Sequence, residues 1–244
     1  MLEPIIWGLV QGLTEFLPVS SSGHLVLVPS FLDLAGFEID PPSLATSAVL
    51  HLGTLVAVLT YFRDDVARVL RMRSDPEGRR IALLVAVGTV PAAIGLLIES
   101  RLEAFQDDAV NVGIALMLTG VILAVGHLSR GGLRTLDSGR LPDAIAVGIA
   151  QAFALIPGIS RSGITITAGL GRKFEAAEAA RFAFLLGIPA IAAAGVTQLG
   201  DVAVTGAGWW ELGVGLAVAA VSGYAAIAGL LTALRKVGLL PFAG

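Results

Sequence analysis

The sequence predicts an all-α polytopic membrane protein. It is built as an inverted-topology repeat, with two re-entrant helical hairpins and five transmembrane helices. Three observations lead there. Of 244 residues, 55% are hydrophobic and only 14% are charged, with a mean hydropathy of +0.84, which is too apolar for a soluble domain. Gly8–His24 (GLVQGLTEFLPVSSSGH) and Gly148–Ile164 (GIAQAFALIPGISRSGI) read as versions of each other at a constant offset of 140 residues. Lys and Arg are segregated into alternate loops rather than dispersed. The absence of cysteine excludes disulfides and thiolate metal sites. The first apolar run follows no basic segment, so a cleaved signal peptide is not expected. Thirty glycines suit close helix packing in lipid.

A membrane-spanning helix needs about 20 apolar residues. Leu44–Phe62, Ile81–Ile98, Val110–Leu128, Phe182–Gly200 and Leu212–Leu234 meet that length without a single Asp, Glu, Lys or Arg. The repeated segments do not, because Pro, Ser and Gly break each one in the middle. A non-helical break at membrane depth is tolerated only where protein or a water-filled cavity covers it. Pro4–Leu34 and Pro142–Gly171 are therefore expected to enter and leave on one side; surface loops are the alternative. Residues 1–244 form a single membrane domain, with repeat one over 1–128 and repeat two over 142–244.

Orientation follows from charge. Arg63, Arg68, Arg71, Arg73, Arg79 and Arg80 follow the first span, and Arg130, Arg134 and Arg140 follow the third. Arg172, Lys173 and Arg181 precede the fourth span, and Arg235 and Lys236 follow the fifth. Basic loops stay cytoplasmic. The segments Glu99–Ala109 and Asp201–Glu211 are poor in Lys and Arg and are expected outside. The first hairpin then opens outward and the second to the cytoplasm, as an inverted repeat requires. Repeat two has two spans after its hairpin against three in repeat one, which leaves the C-terminus cytoplasmic.

The differences between the repeats locate the chemistry. Gly8, Gln11, Ser20, Ser22 and Gly23 match Gly148, Gln151, Ser160, Ser162 and Gly163, whereas Glu15, Ser21 and His24 face Leu155, Arg161 and Ile164. If the two turns meet, one site receives a carboxylate, a hydroxyl, an imidazole and a guanidinium. Gln11 and Glu15, four residues apart, share a helix face. An ionisable group within an apolar segment marks a functional site by default; an interfacial carboxylate is the plainer reading of Glu15. Ser20, Ser21 and Ser22 open a helix, where free N–H groups attract anions, although each serine alone reads equally as a cap. His24 is placed to face the same cavity as the hydroxyls. His51 and His127 read as packing and boundary residues. A buried Arg161 needs an anion, and its fork suits phosphate; a salt bridge to Glu15 is the structural alternative. The set fits phosphoryl transfer, and a carboxylate also suits Mg²⁺ or Ca²⁺ completed by phosphate oxygens. Composition and spacing do not choose between hydrolysis and transport.

The motifs GLVQGLTEFLPVSSSGHL, HLGTLVAVLTYFRDD, PGISRSGITIT and RFAFLLGIPA resemble the undecaprenyl-diphosphatase, or bacitracin-resistance, family of integral membrane phosphatases. The resemblance runs from Gly8 to Phe242. It implies removal of one phosphate from undecaprenyl diphosphate at the outer face of the cytoplasmic membrane, which recycles the cell-wall lipid carrier. It also implies dependence on Mg²⁺ or Ca²⁺. Glu15, Ser21, His24 and Arg161 become the expected catalytic residues, with Glu15 also the metal ligand. Gln11, Ser20, Ser22, Gly23, Ser160, Ser162, Gly163 and Thr165 are expected to bind substrate. Ser21 and His24 are rival nucleophiles, and water is a third. Gln11 stands where the family allows Glu, and the family's last membrane helix has no counterpart on this reading. The expected partners are a polyprenyl diphosphate and membrane lipids, not nucleic acid; a homo-oligomer is left open. A polyprenyl-phosphate flippase using the same inverted-repeat site is the competing function, and a binding scaffold without turnover a third.

Overall fold

The structure is a computed structural model and describes residues 2–34, 36, 39–95, 109–197 and 208–243. Among them the chain is helical, with one isolated bridge between Arg134 and Phe174. The order is α1 (Leu2–Phe16), α2 (Ser21–Leu34), α3 (Leu44–Tyr61), α4 (Arg63–Leu70), α5 (Pro76–Gly95), α6 (Ala109–Leu128), α7 (Leu141–Phe153), α8 (Arg161–Gly171), α9 (Ala176–Thr197) and α10 (Trp209–Lys236). Short 3₁₀ turns cover Leu136–Ser138 and Leu240–Phe242.

Five of these helices (α3, α5, α6, α9 and α10) are long and apolar enough to cross a membrane. They match the five expected spans, but three begin three or more residues earlier, α10 at Trp209 rather than Leu212. Helix α5 starts at Pro76 rather than Ile81, because Asp75 accepts hydrogen bonds from the N–H groups of Glu77 and Gly78 at 2.9 and 3.0 Å. Proline fits that first turn, where its missing donor is not needed. Helix α9 starts at Ala176 rather than Phe182, through a charged turn. The expected ends at Ile98 and Gly200 and most of the two expected outer loops lie outside the described residues.

The four remaining long arms pair as hairpins. Helices α1, α2, α7 and α8 have 15, 14, 13 and 11 residues, too few to span. Their packing is exchanged between halves: α1 lies along α10, and α7 lies along α5. These contacts are backbone-close. A Cβ on Gly12 would come within 2.6 Å of Ala219 O, and one on Gly148 within 2.3 Å of Gly88 O. Helices α3 and α9 pack on each other between the hairpins. There Phe184 of α9 meets Phe16 of α1 edge-on, with ring centroids 5.5 Å apart.

The basic end of the bundle is braced by ion pairs. Asp65 of α4 takes both sides of the Arg181 fork, at 2.5 and 2.9 Å. Asp143, at the start of α7, is held by Arg134 at 2.7 Å and Arg172 at 2.7 Å. Its hydrogen bond to Arg134 raises that guanidinium above its ordinary pKa. Asp143 thus ties the first arm of the second hairpin to the loop before it and to the end of its second arm.

Candidate active site

The two turns meet. Each hairpin ends its first arm at an aromatic residue, Phe16 or Phe153, then reverses into a second helix capped by serine. Ser20 accepts from the N–H of Gly23 at 3.3 Å, and Ser160 from that of Gly163 at 3.1 Å. Both serines therefore cap their helices. The reversals differ in detail. Ser20 itself lies in the left-handed region at φ 67°, whereas in the second turn that strain falls on Gly158 at φ 93°. Glycine carries such a φ without penalty and serine does not.

Ser22 and Ser162, a matched pair in the repeats, cross-brace the turns. The Gly158 N–H donates to Ser22 Oγ at 3.4 Å, and Ser162 Oγ donates to the Leu17 carbonyl at 3.1 Å. The members of the remaining pair, Ser21 and Arg161, both reach Glu15. Ser21 Oγ donates to Glu15 Oε2 at 2.8 Å, and Arg161 Nη2 donates to Glu15 Oε1 at 2.5 Å. Gln11 Nε2 also donates to Glu15 Oε2, at 3.0 Å. Only 8% of the Glu15 side chain and 15% of the Arg161 side chain is exposed. A carboxylate so buried requires this full set of donors.

A cavity of about 80 Å³ opens among Thr14, Glu15, Ser21, Ile159 and Arg161, with Ser20, Ser22, Ser160 and Ser162 on its rim. That is the room of roughly three waters. The N-termini of α2 and α8 both end here, so two positive dipole ends and a guanidinium surround one carboxylate. Among the described residues Arg161 Nη1 is buried without a partner, as is Gln11 Oε1. Gly187 of α9 makes room for the guanidinium: a Cβ there would lie 1.9 Å from Arg161 Nη1.

Several expected site residues sit elsewhere. His24 does not line this cavity. Its Nδ1 donates to the Ser20 carbonyl at 2.8 Å, and its ring borders a neighbouring groove with Pro18, Leu116 and Thr119. The ring thus bonds the carbonyl four residues back, as His51 does with Ser47, rather than the hydroxyls. Thr165 Oγ1 donates to the Arg161 carbonyl at 2.6 Å, an intrahelical bond. Gly23 and Gly163 pack under Leu116 and Leu123. Gln151, the repeat partner of Gln11, is buried with both amide atoms unpartnered and lines no part of the cavity. His51 donates to the Ser47 carbonyl at 2.8 Å and lies near enough to Glu15 to interact with its charge. Thr119, which the sequence reading passed over, anchors the second turn. It donates to the Gly158 carbonyl at 3.0 Å and accepts from the Ser160 N–H at 3.1 Å. A hydroxyl midway along an otherwise apolar span was the available signal.

Among the described residues no three His, Asp or Glu side chains gather as a metal cluster. The hard oxygen donors lining the cavity are Glu15 and the hydroxyls of Thr14 and the serines; Gln11, expected to bind substrate, bonds Glu15 but does not line the cavity. That donor class suits Mg²⁺ or Ca²⁺, but with one carboxylate it is complete only when phosphate oxygens share the ion.

The family described as Bacitracin resistance protein BacA matches residues 4–244. An undecaprenyl-diphosphatase of Hahella chejuensis is 41% identical over 251 residues, covering 99% of this chain and 92% of its own. Those of Geobacter sulfurreducens and Rubrobacter xylanophilus are 40% and 42% identical, covering 99% and 100% of this chain and 93% of each relative. With a match that takes in both turns and all five long apolar helices, the chain belongs to the BacA bacitracin-resistance family.

Proposed function

We propose that this chain hydrolyses undecaprenyl diphosphate to the monophosphate and inorganic phosphate, the activity for which its relatives are named. The observation that carries the proposal is Arg161. One of its terminal nitrogens is held by Glu15 while the other, Nη1, is buried with no acceptor among the described residues. A buried guanidinium N–H without a partner calls for an anion, and phosphate oxygens fit its fork.

In this reading the Glu15–Arg161 pair holds the empty site. The terminal phosphate of the substrate takes the Arg161 fork and the two helix N-termini, and so loosens Glu15. Ser21, already donating to Glu15 Oε2, passes its proton there as its oxygen bonds to the terminal phosphorus. The bond from that phosphorus to the bridging oxygen breaks, and the lipid monophosphate leaves. Water then attacks the phosphoserine, releasing phosphate and restoring the Ser21 hydroxyl. Arg161 stabilises charge on the phosphoryl oxygens in both steps. His24 braces the strained Ser20 backbone and acts as an acid–base partner only by leaving the Ser20 carbonyl. A divalent cation would be held by Glu15 together with phosphate oxygens and would supply charge neutralisation there.

The charge segregation supports a cytoplasmic-membrane location with the first hairpin open to the outside. This agrees with the carrier-recycling role that the family resemblance implies. The test is phosphate release by purified protein in detergent, with undecaprenyl diphosphate as substrate. Hydrolysis predicts stoichiometric phosphate and lipid monophosphate with no sealed compartment. No release in detergent, together with movement of the lipid between leaflets of sealed vesicles, would replace the enzyme with a flippase.

A further inference from the structure

Away from the turns, a second cavity of about 640 Å³ lies between the starts of α5 and α7, bordered by Arg79, Arg80 and Arg140. We propose that it binds the headgroup of an anionic diacyl phospholipid. The proposal does not rest on the phosphatase reading.

Several arginines of this end are already neutralised: Arg68, Arg134, Arg172 and Arg181 each pair with a carboxylate, through Glu77, Asp143 or Asp65. Among the described residues Arg79, Arg80 and Arg140 carry no ion pair, as Arg71, Arg73 and Arg130 carry none, but Arg79, Arg80 and Arg140 are exposed and border one cavity. Arg80 donates to the Asp137 carbonyl, which fixes one of the three against the 3₁₀ turn. Three like charges at one opening repel each other unless an anion is shared among them.

The remaining wall is apolar and continues along both helices. Leu83 and Leu141, 51% and 46% exposed, line the cavity. On α5 the exposed face runs on through Val90 and Ile94, and on α7 through Ile145 and Ile149. Those spacings keep each set on one helix face. The Gly88–Gly148 contact holds the two helices together beneath the opening. Phosphate among guanidinia, with two acyl chains lying on two apolar stripes, is the shape of a phospholipid. A soluble phosphate would use only the charged half. Basic cavities between helices at the cytoplasmic boundary are a known mode of anionic-lipid recognition. Arg140 is also the residue whose backbone N–H donates to Asp143, so a lipid held here would brace the base of the second hairpin.

Native mass spectrometry of delipidated protein tests this, with equimolar dioleoyl-phosphatidylglycerol and dioleoyl-phosphatidylcholine as probes. We expect the wild type to retain phosphatidylglycerol preferentially. The double variant R79Q/R140Q, which spares the Arg80–Asp137 contact, should lose that preference by roughly tenfold or more. R71Q/R73Q removes two charges of the same loop outside the cavity and should keep the preference. If the double variant misfolds by circular dichroism, R79Q and R140Q singly must each lower it. Equal retention of the two lipids by the wild type, or an unchanged preference in the folded variants, overturns the site. Displacement of bound phosphatidylglycerol by equimolar undecaprenyl monophosphate would also overturn it, by reassigning the cavity to a polyprenyl lipid.

Discussion

Glu15 joins the two halves of the molecule, because Ser21 of one turn and Arg161 of the other bond its two oxygens separately. The repeat made this triad legible: positions 21 and 161 correspond, so their difference stood out as a substitution within a shared frame. Arg161→Lys keeps the charge but removes the fork. It should cost about 2–4 kcal/mol of transition-state stabilisation, roughly 30- to 1000-fold in turnover. Near-normal phosphate release by a folded Arg161→Lys protein would assign Arg161 to structure alone. At position 11, Gln11→Glu adds a second carboxylate to the donor set and should lower the Mg²⁺ concentration giving half-maximal activity. An unchanged titration would exclude Gln11 from any cation site. The nucleophile is decided by trapping: an acid-stable phosphoserine at Ser21 is expected, and an acid-labile adduct at His24 would reverse the assignment. The direction of the His24 ring was not legible, because the ring can bond either the hydroxyls or the carbonyl one turn back, and the folded helix takes the carbonyl. Thr119 escaped notice for a different reason. It lies in an apolar span with no repeat partner, and only the folded turn gives its hydroxyl two bonds.

At the scale of helices, the apolar stretches located all five spans, since burial in lipid leaves a compositional trace. Their ends were less legible, because α5 and α9 begin in charged turns that hydropathy reads as loop. Which helix packs on which was not legible at all. The pairing of α1 with α10 and of α7 with α5 depends on glycines whose partners are distant in sequence. A Cβ at position 148 would meet backbone atoms of Gly88 at 2.3–2.9 Å, contacts that no rotamer change relieves. Gly148→Ala should therefore lower the thermal-unfolding midpoint, at the overpacking cost of about 1–3 kcal/mol or more. Gly113→Ala is the matched control, with nothing within 4 Å of its added Cβ. Equal midpoints for the two variants would show that the α5–α7 contact is looser than described.

For the whole molecule, the inverted repeat makes a claim about sidedness and a claim about unity. The absence of native cysteine makes single-cysteine labelling clean. A cysteine replacing Arg73 in the α4–α5 loop should resist impermeant reagents added to intact cells, and labelling from outside would invert the proposed topology. Unity is the deeper claim, because neither hairpin alone supplies both the hydroxyl and the guanidinium. Groups that act on one transition state give strongly non-additive losses when removed together, whereas independent sites give losses that multiply. The direct measurement is kcat/KM for phosphate release from undecaprenyl diphosphate by wild type, Ser21→Ala, Arg161→Lys and the double variant. One composite site predicts that the double variant falls little below the worse single variant. A double-variant loss equal to the product of the two single losses would contradict it and leave the two turns as separate sites.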